Sequence, residues 1–164
     1  MSNLLALLER LGKQEVEFVL VGGFAAVVHG STMVTRDVDV CCRFTEENLR
    51  KLHAAVADLH PVHRMRPDLP FTLAPEAVAG LKNLYLLTDL GVLDCLGEVK
   101  GVGDFGEVSK HSIAGQFPFG KCLVIDLPTL ILAKEAMRRE KDLQAVRQLR
   151  AIQEHRQANP PRKN

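Results

Sequence analysis

Apolar residues along the chain recur with two different periods. Leucines at helical spacing, followed by a glycine, predict an amphipathic helix over residues 2–11. Residues 16–21 are mostly apolar with β-branched members and end at two glycines, which is typical of a buried strand. Residues 36–42 alternate between acidic and apolar side chains, the period of a strand with one polar face. The chain therefore opens with a helix and a buried strand, and a half-polar strand follows.

The rest of the pattern predicts helices and strands in mixed order. Further helices are predicted over residues 24–29, 45–59, 128–139 and 142–157. Further strands are predicted over residues 84–88, 92–96, 107–113 and 121–125, with a turn over 115–120. Residues 60–80, which hold four prolines, and residues 97–106, which hold four glycines, are predicted as loops. The expected fold is α/β or α+β with a mixed sheet of about five strands flanked by helices. One domain is expected over residues 1–157, and a polar tail over 158–164.

Composition and charge narrow the class of protein. The 164 residues are 46% hydrophobic and 25% charged, which is typical of a globular domain. Residues 134–164 hold nine Lys or Arg against four Asp or Glu, whereas residues 1–133 hold 12 against 16. This asymmetry indicates a cation site in the body of the domain and an anion site near its carboxyl end.

The distribution of apolar residues argues against a membrane-spanning protein and against a secreted one. The longest apolar stretch, residues 18–28, has 11 residues and two glycines, so it is too short to span a bilayer. Glu9 follows the leucine-rich opening at once and no basic segment precedes it, which argues against a signal peptide. The four cysteines include no Cys-x-x-Cys pair, and we interpret them as reduced core thiols. A cytoplasmic protein with no membrane partner is expected.

Two glycines and two aspartates form the pattern with the clearest chemistry. Asp37 and Asp39 are two residues apart on a predicted strand, so both carboxylates leave the same face. Like charges on one face destabilise a fold unless a cation lies between them, and Mg²⁺ prefers carboxylate oxygens. Gly22 and Gly23 lie between a strand and a helix, where the backbone can approach a phosphate closely. The pattern therefore predicts a metal site beside a phosphate site.

This pattern resembles the motif of the nucleotidyltransferase superfamily with the polymerase-β-like fold. The motif here reads Val-Gly-Gly over residues 21–23 and Arg-Asp-Val-Asp-Val over residues 36–40. In that superfamily a third carboxylate comes from a later strand, and Asp94, set among apolar residues, matches it in type and order. Residues 29–32 and 134–142 look like segments of small bacterial members related to abortive-infection toxins and to aminoglycoside or lincosamide nucleotidyltransferases.

The resemblance implies a catalytic set and a nucleotide-binding set. Two Mg²⁺ ions held by Asp37, Asp39 and Asp94 would bridge the triphosphate and the acceptor hydroxyl. Asp94 would receive the proton of that hydroxyl. The implied nucleotide-binding residues are Gly22, Gly23, Ser31, Thr32, Arg36, Lys134 and Lys141. For Ser31 and Thr32, hydrogen bonding within a turn is the alternative role.

The implied reaction is transfer of an NMP from an NTP to a hydroxyl of an acceptor. The acceptor is expected to be a tRNA, a protein or a small molecule such as an antibiotic. The toxin-like resemblance favours a macromolecular acceptor and adds an antitoxin as an expected partner, and a homodimer is expected to complete the acceptor site. Many active members have Ser where this chain has Gly23. The alternative is therefore a catalytically inactive nucleotide-binding or protein-interaction module of the same fold.

Overall fold

The computed structural model describes residues 2–74 and 78–162, in which a mixed sheet carries helices on both faces. The helices are α1 (Ser2–Lys13), α2 (Gly22–Val28), α3 (Glu46–Val56, followed by a 3₁₀ turn at Ala57–Leu59), α4 (Phe105–Lys110), α5 (Leu127–Met137) and α6 (Glu140–Ala158). The strands are β1 (Phe18–Val21), β2 (Asp37–Cys42), β3 (Val62–His63), β4 (Arg66–Pro70), β5 (Asn83–Thr88), β6 (Gly91–Leu96), β7 (Glu98–Val99), β8 (Gly103–Asp104), β9 (Ser112–Phe117) and β10 (Gly120–Ile125). The predicted mixture of helices and a mixed sheet is confirmed.

The main sheet has eight strands within the described ranges, in the order β4-β3-β5-β6-β2-β1-β10-β9. The prediction of about five strands is therefore wrong. β2 runs parallel to β6, β1 runs parallel to β10, and the other neighbours are antiparallel. β7 and β8 form a separate two-stranded ribbon. This order places the half-polar strand β2 in the interior of the sheet, between β1 and β6.

Local chemistry explains where three of the helices begin. The side chains of Thr45, Asp104 and Asp126 each accept a hydrogen bond from the backbone N–H three residues later, at 3.2, 3.1 and 2.9 Å. Each bond satisfies a donor that the first helical turn leaves without a partner inside the helix. Pro128 lies in the first turn of α5, where its missing N–H costs nothing.

The two faces of β2 have different surroundings. Val38 and Val40 are fully buried on one face, which α1 and α3 cover. Asp37 and Asp39 lie on the opposite face, which is partly covered by α2, α4 and α5. β5 extends this second face outward, and there its side chains alternate between exposed and buried positions, with Tyr85 on the exposed side. The aspartates therefore lie at the boundary between the covered and the open half of one sheet face.

Three predicted loops or turns contain regular structure instead. Within residues 60–80, of which 75–77 lie outside the described residues, β3 and β4 form a hairpin that pairs with β5. Prolines are compatible with β4 because it is an edge strand, where no partner needs their N–H. The strand β9 continues through Gly115, where a Cβ would lie only 2.7 Å from a methyl group of Val124. The predicted turn over 115–120 therefore shrinks to the two residues between β9 and β10.

The predicted loop over residues 97–106 is also wrong, and the predicted strand over 107–113 is wrong except for residues 112–113, which begin β9. The glycine-rich loop contains the ribbon of β7 and β8, and Gly101 and Gly103 have φ angles of +82° and +133° that allow its tight turn. Residues 105–110 form the helix α4, because Asp104 caps it and Phe105 and Val108 are buried three residues apart on one side. β-branched residues in this segment suggested a strand, but capping and burial determine the local structure.

The remaining elements agree with prediction to within a few residues. β5 and β6 turn over two residues rather than the three left between the predicted strands, and α6 extends to Ala158, one residue into the predicted tail. Lys163 and Asn164 of that tail lie outside the described residues. The four cysteines are free thiols, three of them buried. No helix in the described ranges is both long enough and apolar enough to cross a membrane.

Candidate functional site

Strand pairing brings the three predicted carboxylates together. Asp37 and Asp39 lie two residues apart on β2, and the parallel partner of Asp39 on β6 is Asp94. On its other side Asp39 pairs with Val21, the last residue of β1. All three carboxylates therefore lie on the same face of the sheet, next to the turn from β1 into α2.

Gly22 is required at that turn by the position of Asp39. Its φ angle is +67°, in the left-handed region that glycine adopts without strain. A Cβ at this position would collide with the carboxylate of Asp39. Gly23 has an ordinary φ angle, and a Cβ there would meet the flexible side chain of Thr35 at 3.0 Å. The first glycine is thus needed for the packing of the carboxylate, whereas the second leaves space beside it.

Asp39 is the most perturbed carboxylate of the three. Burial, followed by the charges of Asp94 and Asp37, raises the pKa of Asp39 from 3.8 to about 6. Lys134 and Lys141 oppose this rise in its pKa, but they do not cancel it. Within the described ranges the Asp39 carboxylate accepts no hydrogen bond from another residue. Its negative charge is therefore not compensated in the protein alone, which is the electrostatic condition for binding a cation.

Asp94 is held by an arginine from the β3–β4 turn. The Arg64 guanidinium donates to Asp94 Oδ2 at 3.0 Å and lies over the ring of Tyr85, 5.5 Å from its centroid. Burial raises the pKa of Asp94, and the charge of Arg64 opposes this rise. Two buried atoms of the pair, Arg64 Nε and Asp94 Oδ1, have no hydrogen-bond partner within the described residues. Buried polar atoms without a partner are rare in folded proteins, so this pair marks a place where a ligand could supply the missing hydrogen bonds.

A second cluster of charges lies where α5 meets α6. Asp142 is 1% exposed and accepts from Arg139 Nε at 2.6 Å, while its Oδ1 lies 3.9 Å from Lys134 Nζ. Burial lowers the pKa of Lys134, and Asp142 and Asp39 limit this decrease. Asp142 therefore orients Lys134 and Arg139.

Two cavities meet at these charges. An apolar cavity of about 130 Å³ lies beneath α5, and a second cavity of about 200 Å³, here called the basic cleft, lies beside α2. Four side chains line both of them, namely Asp39, Lys134, Arg139 and Asp142. The basic cleft is also lined by Gly23, Ser31, Arg36, Asp37 and Lys141. Most of the predicted nucleotide-binding residues therefore surround one cleft.

Ser31 and Thr32 are engaged in contacts with α6. Ser31 Oγ donates to Gln148 Oε1 at 2.7 Å, and Gln148 Nε2 donates to Thr32 Oγ1 at 2.7 Å. Ser31 also accepts from the backbone N–H of Met33, which is a turn contact. Ser31 lines the basic cleft and Thr32 does not. Asp94 lines neither cavity and lies on the open side of the carboxylates.

The carboxylates fit a magnesium site that a substrate completes. In the described residues no group of three or more His, Cys, Asp or Glu side chains could hold a metal ion by itself. Mg²⁺ is ordinarily held by one or two carboxylates together with substrate phosphates and water, so a closed protein cage is not required. The uncompensated charge of Asp39 and the free oxygen of Asp94 supply suitable ligands.

Two arginines of the site were not among the predicted binding residues. Arg64 reaches Asp94 because β3 pairs with β5 and β5 pairs with β6, a long-range arrangement in a segment predicted as loop. Arg139 belongs to the basic segment at residues 134–142, but its contact with Asp142 depends on how the chain turns between α5 and α6. The charge excess of this segment was the available signal for Arg139.

Comparison of the sequence with protein-family models and with curated proteins finds no match in either set.

Proposed function

We propose that this protein is a Mg²⁺-dependent nucleotidyltransferase with a polymerase-β-like fold, which transfers an NMP from an NTP to a hydroxyl of an acceptor. The observation that carries the proposal is the pairing of Asp39 with Asp94 on adjacent parallel strands, beside Asp37 and the basic cleft, whose lining includes four cations and three aspartates. A partly buried cluster of carboxylates that destabilises the protein needs a cation, and a neighbouring cluster of basic residues suits a polyphosphate. A cytoplasmic location, where NTP is supplied, fits the free thiols.

Each group has a separate part in the proposed reaction. Lys134, Lys141 and Arg139 bind the triphosphate, and the space beside Gly23 lets it approach the backbone of α2. Asp94, on the open side, accepts the proton of the acceptor hydroxyl. The hydroxyl oxygen forms a bond to the α-phosphorus, the bond from that phosphorus to the bridging oxygen breaks, and pyrophosphate leaves.

Asp37, Asp39 and Asp94 would hold the metal. When bound, Mg²⁺ supplies positive charge that lowers the pKa of the acceptor hydroxyl and stabilises the leaving pyrophosphate. The contribution of the protein is to hold these carboxylates in a partly dry site, where electrostatic interactions are stronger than in water. Ser31 and Thr32 contribute indirectly by fixing α6, whose amino-terminal turn carries Lys141.

The proposal is tested by transfer of a radioactive label. Wild-type protein is mixed with Mg²⁺ and each NTP labelled at the α-phosphate, and tRNA, lysate protein and a mixture of antibiotics are offered separately. The Asp37→Asn/Asp39→Asn double variant is the inactive control, and Glu154→Gln, which removes an exposed carboxylate from α6, is the matched active control. Transfer by wild type and Glu154→Gln alone supports the proposal and identifies the acceptor class. Equal labelling with the double variant contradicts it.

The ion pair between Arg64 and Asp94 favours a second function, a catalytically inactive nucleotide-binding or protein-interaction module. Arg64 neutralises the carboxylate that would accept the proton. In such a module the pair is permanent, and nucleotide binds without transfer. The module is supported if NTP binds with no transfer to any acceptor and if Arg64→Gln binds NTP as tightly as wild type. Transfer that depends on Arg64 contradicts it.

A further inference from the structure

The apolar cavity beneath α5 is not used by the triphosphate or by the acceptor in the proposed function. Its walls are Leu96, Val99, Ile125, Leu130, Ala133 and Met137. Of these, Met137 is 42% exposed and lies at the rim, whereas Leu130 and Ile125 are almost completely buried. The cavity opens toward Asp39 and Lys134, which also line the basic cleft. A ligand that fills the basic cleft can therefore continue into the apolar cavity.

The volume of the cavity is close to that of a single six-membered ring. The cavity measures about 130 Å³. An apolar cavity of about 150 Å³ in another protein binds benzene, so the present cavity is close to the size of one six-membered ring. A fused two-ring system needs more room, and the side chain of Met137 occupies the rim of the cavity.

A polar group at the edge of the cavity narrows the choice of ring. Among the described residues, Lys100 is the charged side chain that lines this cavity but not the basic cleft. Its ammonium group only donates hydrogen bonds, so it suits a ring that carries a carbonyl oxygen. Uracil carries two carbonyl oxygens, and cytosine and guanine carry one each, whereas adenine accepts hydrogen bonds at ring nitrogens alone. The contact with Lys100 therefore disfavours adenine, and the size of the cavity is what disfavours guanine.

We propose that this cavity binds the base of the nucleotide and favours a pyrimidine over a purine. The inference rests on the proposed function, because the triphosphate in the basic cleft places the base at the mouth of the cavity. The α-phosphate would then lie near Asp39, Lys134 and Arg139, the residues that line both cavities. The acceptor would approach from the open side, at Asp94.

The test measures binding by calorimetry in the presence of Mg²⁺. The probes are UTP, ATP and inorganic tripolyphosphate, which has the phosphates but no base. The Ala133→Leu variant adds bulk inside the cavity, and Ala151→Leu makes the same change at an exposed position on α6. Because one methylene group in an apolar pocket changes discrimination by about 10- to 200-fold, Ala133→Leu is expected to weaken UTP binding about tenfold or more. Ala151→Leu is expected to bind UTP like wild type.

The remaining measurements separate the two proposals. Tripolyphosphate binding is expected to be the same in wild type and Ala133→Leu, which also shows that the variant is folded. Met137→Ala, at the exposed rim, is expected to increase the affinity for ATP relative to UTP. The proposal of a base site is overturned if wild type binds UTP and ATP equally. It is also overturned if Ala133→Leu leaves UTP binding unchanged while tripolyphosphate still binds. Neither result contradicts the proposed function. Absence of binding for tripolyphosphate and both nucleotides overturns the proposed function as well.

Discussion

Replacement of Asp39 by asparagine is expected to stabilise the fold at neutral pH while it removes the metal-dependent activity. The pKa of Asp39 is raised from 3.8 to about 6, chiefly by burial and then by the charges of Asp94 and Asp37. A carboxyl group with a raised pKa holds its proton more tightly in the folded than in the unfolded chain. Its ionisation therefore opposes folding, and asparagine, which has nearly the same shape, removes that opposition.

The magnitude follows from the difference between the two pKa values. A rise from 3.8 to about 6, at about 1.36 kcal/mol for each pKa unit, corresponds to about 3 kcal/mol. The sign follows from linkage. Below pH 3.8 the group is protonated in both states and has no effect, and its unfavourable contribution grows as the pH rises through 6. For a domain of this size each kcal/mol changes Tm by about 2–4 °C, so Asp39→Asn is expected to raise Tm by about 6–12 °C at pH 8.

Thermal unfolding of wild type and Asp39→Asn between pH 3.5 and pH 8 measures this difference. The Tm difference should be small at the acid end and should grow between pH 4 and pH 6. Glu154→Gln, which neutralises an exposed carboxylate on α6, should show no such pH-dependent gain. Mg²⁺ with NTP should stabilise wild type more than Asp39→Asn. A variant that is less stable than wild type at pH 8 refutes the account, because the carboxylate would then be structural.

Three further predictions concern charged groups around the site. Arg64→Gln removes the guanidinium that opposes the rise in the pKa of Asp94, so Asp94 keeps its proton to a higher pH and the rate of transfer is expected to fall most strongly at low pH. Arg66→Gln, on the neighbouring exposed strand, is the control in the same pH–rate measurement. Asp142→Asn removes the buried charge that holds Arg139 and Lys134 and is expected to destabilise the fold by about 1–3 kcal/mol in urea denaturation, and an unchanged midpoint contradicts this. Burial lowers the pKa of His29, so its protonation opposes folding and the wild-type protein loses stability as the pH falls below 6.5. His29→Gln should therefore flatten the acid side of the stability curve.

The local part of the site could be predicted from the sequence. The alternation over residues 36–42 places Asp37 and Asp39 on one face, and the glycine pair marks the turn where a phosphate could approach. The predicted strand over residues 92–96 contains Asp94, and the structure has it in β6. In each case the relevant residues lie within one or two adjacent elements, so local periodicity is sufficient.

The long-range part could not be predicted in the same way. The contact between Arg64 and Asp94 depends on the pairing of β3 with β5, in a segment whose prolines suggested a loop. The exposed edge position that makes β4 tolerant of proline is a property of the whole sheet. The helix α4 depends on burial of Phe105 and Val108 against strands far away in the chain. The apolar cavity likewise combines residues from β6, β7, β10 and α5, so no single segment carries its signal.

Binding of Mn²⁺, followed by electron paramagnetic resonance, tests the central claim most directly. Wild type, Asp94→Asn and the Asp37→Asn/Asp39→Asn double variant are titrated in the presence of α,β-methylene analogues of ATP and UTP, which cannot be transferred. The account predicts two magnetically coupled ions for each wild-type chain with nucleotide, weaker binding in Asp94→Asn and loss of the coupled pair in the double variant. Identical Mn²⁺ binding by wild type and the double variant contradicts the claim that these carboxylates form the metal site.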